Sequence, residues 1–248
     1  MARRRKKQDT AEQLVLLIIL IIKTIIKLIF RIIVFSFDLI TFYTSRYKEK
    51  SGNSFIKTYF DKGNYGEFIL YRKLIRTFDK KSVLTNIYLE NVNTDSTEID
   101  VIAVSTKGIY VFEMKNYSGY IYGSERDRYW TQVLNKWVKN KFYNPLRQNY
   151  VHTKAIEKYL SIKSDSIIPV TVFSNNSKLS KINVGKNHNV FQYRDAIKFV
   201  KNKERRDIDI LTIDMKEAYL IDLVKQCNMP EDVKIKHIEQ VKALVGEN

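Results

Sequence analysis

The stretch from Thr97 to Lys115, T-E-I-D-V-I-A-V-S-T-K-G-I-Y-V-F-E-M-K, constrains the fold more than any other part of the chain. It reads as two apolar strands joined by a tight turn at Thr106-Lys107-Gly108. Three charged residues interrupt it: Asp100, Glu113 and Lys115. Alternation puts Ile109, Val111, Glu113 and Lys115 on one face of the second strand, and Tyr110, Phe112 and Met114 on the other. Both faces are mostly apolar, the pattern of a central strand covered on two sides. An unpaired charge buried there is costly. Two carboxylates and a lysine converging in such a sheet point to a metal site beside a general base or charge stabiliser. The alternative is a surface hairpin with an incidental Glu113–Lys115 ion pair.

Glu113-Met114-Lys115 is the one Glu-x-Lys in the chain. Asp-x-Lys recurs at Asp79, Asp214 and Asp232, but none of these ends a strand turned back from an earlier Asp-bearing strand. Upstream, Gly63-Asn64-Tyr65-Gly66-Glu67 opens a helix expected to run to about Phe78. Glu67, Tyr71, Leu74 and Phe78 share its face, so Glu67 is a candidate third carboxylate. The alternative for Glu67 is a first-turn acid favoured by the helix dipole. Downstream come Trp130 and then Asn144-Pro145-Leu146-Arg147-Gln148. Asn144 fits an N-cap and Pro145 a first helical residue, with the helix expected to reach about Leu160.

The Asp-x12-Glu-x-Lys spacing resembles that of restriction-endonuclease-like, PD-(D/E)XK, nucleases. The ordered set G-x-x-G-E, T-E-I-D, G-I-Y-V-F-E-M-K-N-x-x-G, W and N-P-x-x-Q resembles the NERD, or nuclease-related domain, family over roughly residues 61–173. The resemblance implies an α/β fold, a restriction-endonuclease-like mixed sheet flanked by helices. It implies a divalent-metal phosphodiesterase site with Glu67, Asp100, Glu113 and Lys115 at its centre and Gln148 lining it. Hard oxygen ligands such as Asp100, Glu113 and Glu67 suit Mg2+ or Mn2+. Lys115 is expected to orient or deprotonate the attacking water, or to hold developing charge.

Other chemistries lack support. His152, His188 and His237 are scattered and read as packing or surface residues. Cys227 is alone, which excludes a zinc knuckle or disulfide framework. No Walker or dinucleotide glycine motif occurs.

The chain carries 43 basic and 27 acidic side chains. After the hairpin, Arg126, Arg128, Lys136, Lys139, Lys141 and Arg147 are interleaved with tyrosine, tryptophan and phenylalanine. That composition suits phosphate contacts and base stacking, so the expected partner is nucleic acid, DNA ahead of RNA. The alternative is a solvated basic surface with core aromatics.

A basic flank, residues 1–13, precedes an apolar helix expected over 14–42, which is membrane-associated or transmembrane. Leu14 to Ile22 is unbroken apolar sequence. Lys23, Lys27 and Arg31 then recur at every fourth position as one stripe. A cationic stripe between basic flanks suits a helix lying on an anionic leaflet, and a tilted span is the alternative. The absence of a small-residue cleavage site argues against a removable signal peptide. The expected organisation continues with a connector at 43–60, the nuclease-like domain at 61–175 and a C-terminal strand and helices at 176–248. Within that last part, Val190–Tyr193 is an expected strand, and helices are expected near Asp195–Lys203, Asp214–Cys227 and Glu231–Leu244. Pro169 marks the strand Ile167–Phe173 as an edge or strand start, and Ser174–Asn189 reads as a polar loop. The functional expectation is a metal-dependent nuclease at the cell membrane, its domain facing the cytoplasm. The alternatives are a catalytically silent module anchoring nucleic acid there and a membrane adaptor with neither activity.

Overall fold

The structure is a computed structural model. It describes residues 2–89 and 96–227, with side chains from residue 13 onward. The helix expected over Glu231–Leu244 lies outside the described residues. The chain forms two units, residues 1–44 and 45–248.

The first unit is one helix, α1 (Ala2–Thr44). From Leu14 to Ile33 its apolar side chains stand in the open: Leu16 and Phe30 are each 65% exposed. Thr24 donates its hydroxyl to Leu20 O at 2.8 Å, so the backbone absorbs this polar group within the apolar run. Among the described residues no helix is long and apolar enough to cross a membrane. This overturns the transmembrane reading. Lys23, Lys27 and Arg31 are the physical reason, since each cation at mid-bilayer costs about 2.5–3.5 kcal/mol.

The second unit starts with two helices where a connector was expected, α2 (Tyr47–Ser51) and α3 (Phe55–Phe60); the expected helix bearing Glu67 follows as α4 (Lys62–Leu74), which ends short of Phe78. Ser54 caps α3, and Asp61 caps α4 by accepting from Asn64 N at 2.8 Å. The strands β1 (Val83–Leu89), β2 (Thr97–Ser105) and β3 (Gly108–Lys115) follow as an antiparallel run. Gly108 makes the β2–β3 turn possible. Its φ is +131°, and a Cβ there would stand 2.8 Å from Ser166 O.

The chain then builds β4 (Gly119–Ser124), β5 (Tyr129–Val133) and β6 (Lys139–Tyr143), followed by α5 (Pro145–Leu160). Last come β7 (Ile167–Phe173), β8 (Ser177–Asn183), β9 (Asn189–Gln192), α6 (Tyr193–Arg206) and α7 (Ile213–Lys225). Two mixed sheets result, ordered β1-β2-β3-β7-β9 and β6-β5-β4-β8. In the larger, β3 is central, with β2 antiparallel on one side and β7 parallel on the other. Helices α5 and α7 pack on one face of it, α4 and α6 on the other. Ile109, Val111, Ile102 and Val104 meet Ala155, Ile156 and Leu223 in the core on the α5 side. The mixed α/β architecture with helices flanking the sheet agrees with the expected fold class.

Two readings need correction. Strand β7 lies inside its sheet, between β3 and β9, despite Pro169. Pairing with β9 begins only at Val170, so the missing N–H of Pro169 removes no bond from that ladder. The segment Ser174–Asn189 holds strand β8, which pairs in parallel with β4. Only Leu179 and Ile182 of β8 pack on apolar neighbours, which leaves the sequence polar.

Candidate active site at the end of the central strand

Glu113 is fully buried on the α5 face of β3. Its Oε1 lies 2.6 Å from Lys115 Nζ, and its Oε2 lies 2.9 Å from His152 Nε2. Lys115 Nζ donates to Gln148 Oε1 at 3.0 Å. Helix α5 thus supplies Gln148 and, one turn on, His152. The helix is held at its start by Asn144, whose side chain accepts from Leu146 N at 2.9 Å. Its Nδ2 also donates to Ser124 O, Glu125 O and Asp127 O, at 2.7 to 3.3 Å. The N-P-x-x-Q segment therefore fixes where α5 begins and which residue faces Lys115.

Asp100 sits where the alternation of β2 slips by one. Ile99, Ile102 and Val104 belong to one core cluster, which an unbroken strand would not allow. The slip is mirrored in β1, where Leu84 and Ile87 flank Asn86, whose φ is +52°. β2–β3 pairing stops at Val101, and Asp100 Oδ2 takes over by accepting from Met114 N at 2.7 Å.

Glu67 enters from α4. Gly66 brings that helix close: a Cβ there would stand 2.7 Å from Asn116 Cβ, just past the end of β3. Asn116 Nδ2 donates to Lys62 O at 2.7 Å, and Tyr193 donates its hydroxyl to Gly66 O.

The electrostatics tie these groups together. Burial raises the pKa of Glu67, with Glu98 and Glu113 adding to the effect, to about 8. Burial, then Glu113 and Glu67, hold Asp100 well above the usual carboxylate range. Burial also acts to raise Glu113, but Lys115 and the His152 hydrogen bond outweigh it and hold this acid below its ordinary value. For Lys115, burial favours the neutral amine; Glu113 and Asp100 overcome that and raise its pKa. Lys115 is therefore a cation at neutral pH. Because Glu113 is ionised, Nε2 of His152 carries the proton that Glu113 accepts, and Nδ1 lies 2.9 Å from the Thr97 hydroxyl.

The structure thus brings Glu113, Lys115 and Gln148 into direct contact, with Asp100 and Glu67 as electrostatic neighbours. Sequence reasoning missed His152, which it took for a packing residue, although His152 stands four residues after Gln148 on the same helix. It also missed Tyr47 and Tyr193. Burial and then Glu67 raise the pKa of both hydroxyls. Trp130 is buried and stacks on Phe173 at 6.0 Å, joining the smaller sheet to β7. Lys139 and Lys141 lie on β6, and Arg128 lies over the Tyr129 ring at 5.4 Å. Lys136 lies over Trp137 at 4.8 Å in the β5–β6 turn. Arg147 donates to Arg126 O at 2.9 Å, so these two basic residues meet beside the start of α5.

Among the described residues, no three His, Cys, Asp or Glu side chains stand close enough to hold a metal ion. The donor chemistry nonetheless fits a hard divalent cation. Glu113 and Glu67 oppose the ionisation of Asp100, and Glu113 opposes that of Glu67, beside a single lysine, a crowding that such an ion would relieve.

This is the site of a nuclease-related α/β domain. The NERD, Nuclease-related domain, family matches residues 62–174. The chain is 33% identical over 192 residues to Uncharacterized protein pXO1-01/BXA0003/GBAA_pXO1_0003 of Bacillus anthracis, covering 75% of this chain and 88% of that protein. The chain belongs to the NERD family. A crystal structure of a protein of unknown function, AF1548, is 13% identical, with a TM-score of 0.33 over 75% of this chain and 100% of that one.

Proposed function

We propose that this chain is a metal-dependent phosphodiesterase of the restriction-endonuclease type, acting on nucleic acid, DNA ahead of RNA. The observation that carries this reading is the contact set Glu113–Lys115–Gln148 at the end of the central strand, with Asp100 electrostatically coupled to it. Asp100, Glu113 and Glu67 would hold Mg2+ or Mn2+. When bound, the ion would lower the pKa of a water ligand and neutralise phosphate charge.

The chain's own groups have distinct tasks. Lys115 is held protonated by its acidic neighbours, so it serves by holding negative charge on the phosphate and orienting water. A protonated amine is no general base. Gln148 fixes the direction of the ammonium group. His152 fixes the Glu113 carboxylate from behind, as second-layer histidines and carboxylates do in metal sites. Glu67 would hold a proton or help to hold the ion, according to pH.

A second reading rests on a specific observation. Both Glu113 oxygens already face cationic or N–H groups, and among the described residues no three acids are drawn together. A silent module that binds nucleic acid without cutting it would look the same. Cleavage of plasmid DNA by the full chain with magnesium or manganese separates the two. Wild type should cut, and Asp100→Ala and Lys115→Ala should each lose at least about a hundredfold. DNA binding with no cleavage under either metal favours the silent module.

We further propose that α1 lies on an anionic cytoplasmic membrane surface, its apolar side chains in the lipid and Lys23, Lys27 and Arg31 at the headgroups. Release of the chain from membranes by carbonate is the expected result. Retention would contradict it.

A further inference from the structure

Among the described residues, the smaller sheet has one face without a covering. Its inner face carries Ile121, Trp130 and Phe142 into a core with Phe173. Its outer face is set by register. Across the sheet, Lys139 on β6 pairs with Val133 on β5, Val133 with Tyr120 on β4, and Tyr120 with Lys178 on β8. The next row repeats the order as Lys141, Thr131, Tyr122 and Lys181. A third row pairs Tyr143 with Tyr129. Every complete row is a tyrosine with lysines to either side, and no acidic residue occupies any of these positions. Tyr120, Tyr129 and Tyr143 are 46%, 38% and 44% exposed. The Lys178 ammonium lies 5.7 Å from the centre of the Tyr120 ring. Tyr129 and Tyr143 meet edge to face at 6.2 Å.

We infer that this face binds single-stranded nucleic acid. Lysines without counter-charges complement a phosphate backbone, and tyrosine rings offer stacking surfaces that any base can use. Strandedness follows from the geometry. Tyr120 and Tyr122 are two residues apart on one strand, about 6.7 Å, roughly twice the rise between stacked bases. Bases meeting successive rings must be unstacked. A duplex hides its base faces and a single strand exposes them. The face also leads to the proposed site. Only Asn116, Tyr117 and Ser118 separate Lys115 from the first residue of β4, at most about 14 Å of chain. The inference deepens the nuclease reading and rests on it for the strand's destination; binding itself needs no cleavage.

The test uses the full chain in detergent with a chelator, and labelled single-stranded and duplex DNA of one sequence in fluorescence anisotropy. The single strand should bind at least about tenfold more tightly than the duplex. Tyr120→Ala and Tyr129→Ala should each weaken it by about fivefold or more, and Tyr120→Phe, which keeps the ring, should restore it. Lys139→Glu with Lys141→Glu should flatten the salt dependence. Equal or tighter duplex binding, or no effect of the tyrosine changes, would overturn the inference. So would a result in which these same changes weaken binding to phosphatidylserine vesicles but not to DNA. Plasmid cleavage that persists without single-strand binding would remove this inference and leave the nuclease reading standing. Single-strand binding without cleavage would do the reverse.

Discussion

The two sheets use their charged residues in opposite ways. In the larger sheet Glu113 is fully buried, and Lys115, 17% exposed at its side chain, is paired to it at 2.6 Å. Each charge depends on its neighbours, and the neighbours set its protonation. In the smaller sheet the lysines stand in solvent on strand positions that hold no carboxylate, and among the described residues only the reverse side is packed. The first arrangement makes groups whose state can be tuned for chemistry. The second makes a surface whose charge is fixed and available. Substitutions should therefore hurt the fold in the first sheet and spare it in the second.

The largest effect should come from Glu113→Ala. It leaves Lys115 buried without its ion pair and His152 without its acceptor, and removing one member of a buried pair costs about 3–5 kcal/mol. Chemical denaturation measures it, and a loss below about 1 kcal/mol would mean the pair is less buried than described. Gly66→Ala should cost about 1–3 kcal/mol, because the added methyl group meets Asn116 at a distance no relaxed pair adopts. A smaller effect is a pH slope. The folded Glu67 keeps its proton up to about 8, against an ordinary value of 4.5. Between those values the folded state binds more protons than the unfolded one, so stability should fall as pH rises through the window. Thermal melts from mildly acid to mildly alkaline buffer read this slope. Glu67→Gln should flatten it, and so should magnesium if the acids bind the ion. The smallest effect belongs to the other sheet: Tyr120→Ala should move stability by no more than about 0.5 kcal/mol. A large loss there would mean the face is covered, and the contrast between the sheets would collapse.

Much of the site could be read from the sequence because its signals are local. The β2–β3 hairpin follows from alternation and a turn glycine, and α5 runs from Pro145 to Leu160 as its cap and proline indicate. Glu67 was traceable because Gly66 and the apolar stripe mark the same helix. What stayed hidden depends on partners far along the chain. The slip at Asp100 answers to Asn86, and nothing near Asp100 announces it. Strand β8 has too few apolar residues to be seen without β4 beside it. Pro169 argued for an edge because the short reach of β9 is a property of the pairing alone. The role of His152 was within reach, as its distance from Gln148 is one helical turn, but a lone histidine carries no signal until its acid is placed.

Asn144 has a mechanical consequence. One buried amide fastens the first turn of α5 to three carbonyls in the β4–β5 connection. The lever that aims Gln148 is therefore bolted to the frame of the other sheet. A load placed on that frame is felt at Lys115 with no moving part between them. Asn144→Ala would loosen the bolt, and the two sheets would cease to keep time with each other.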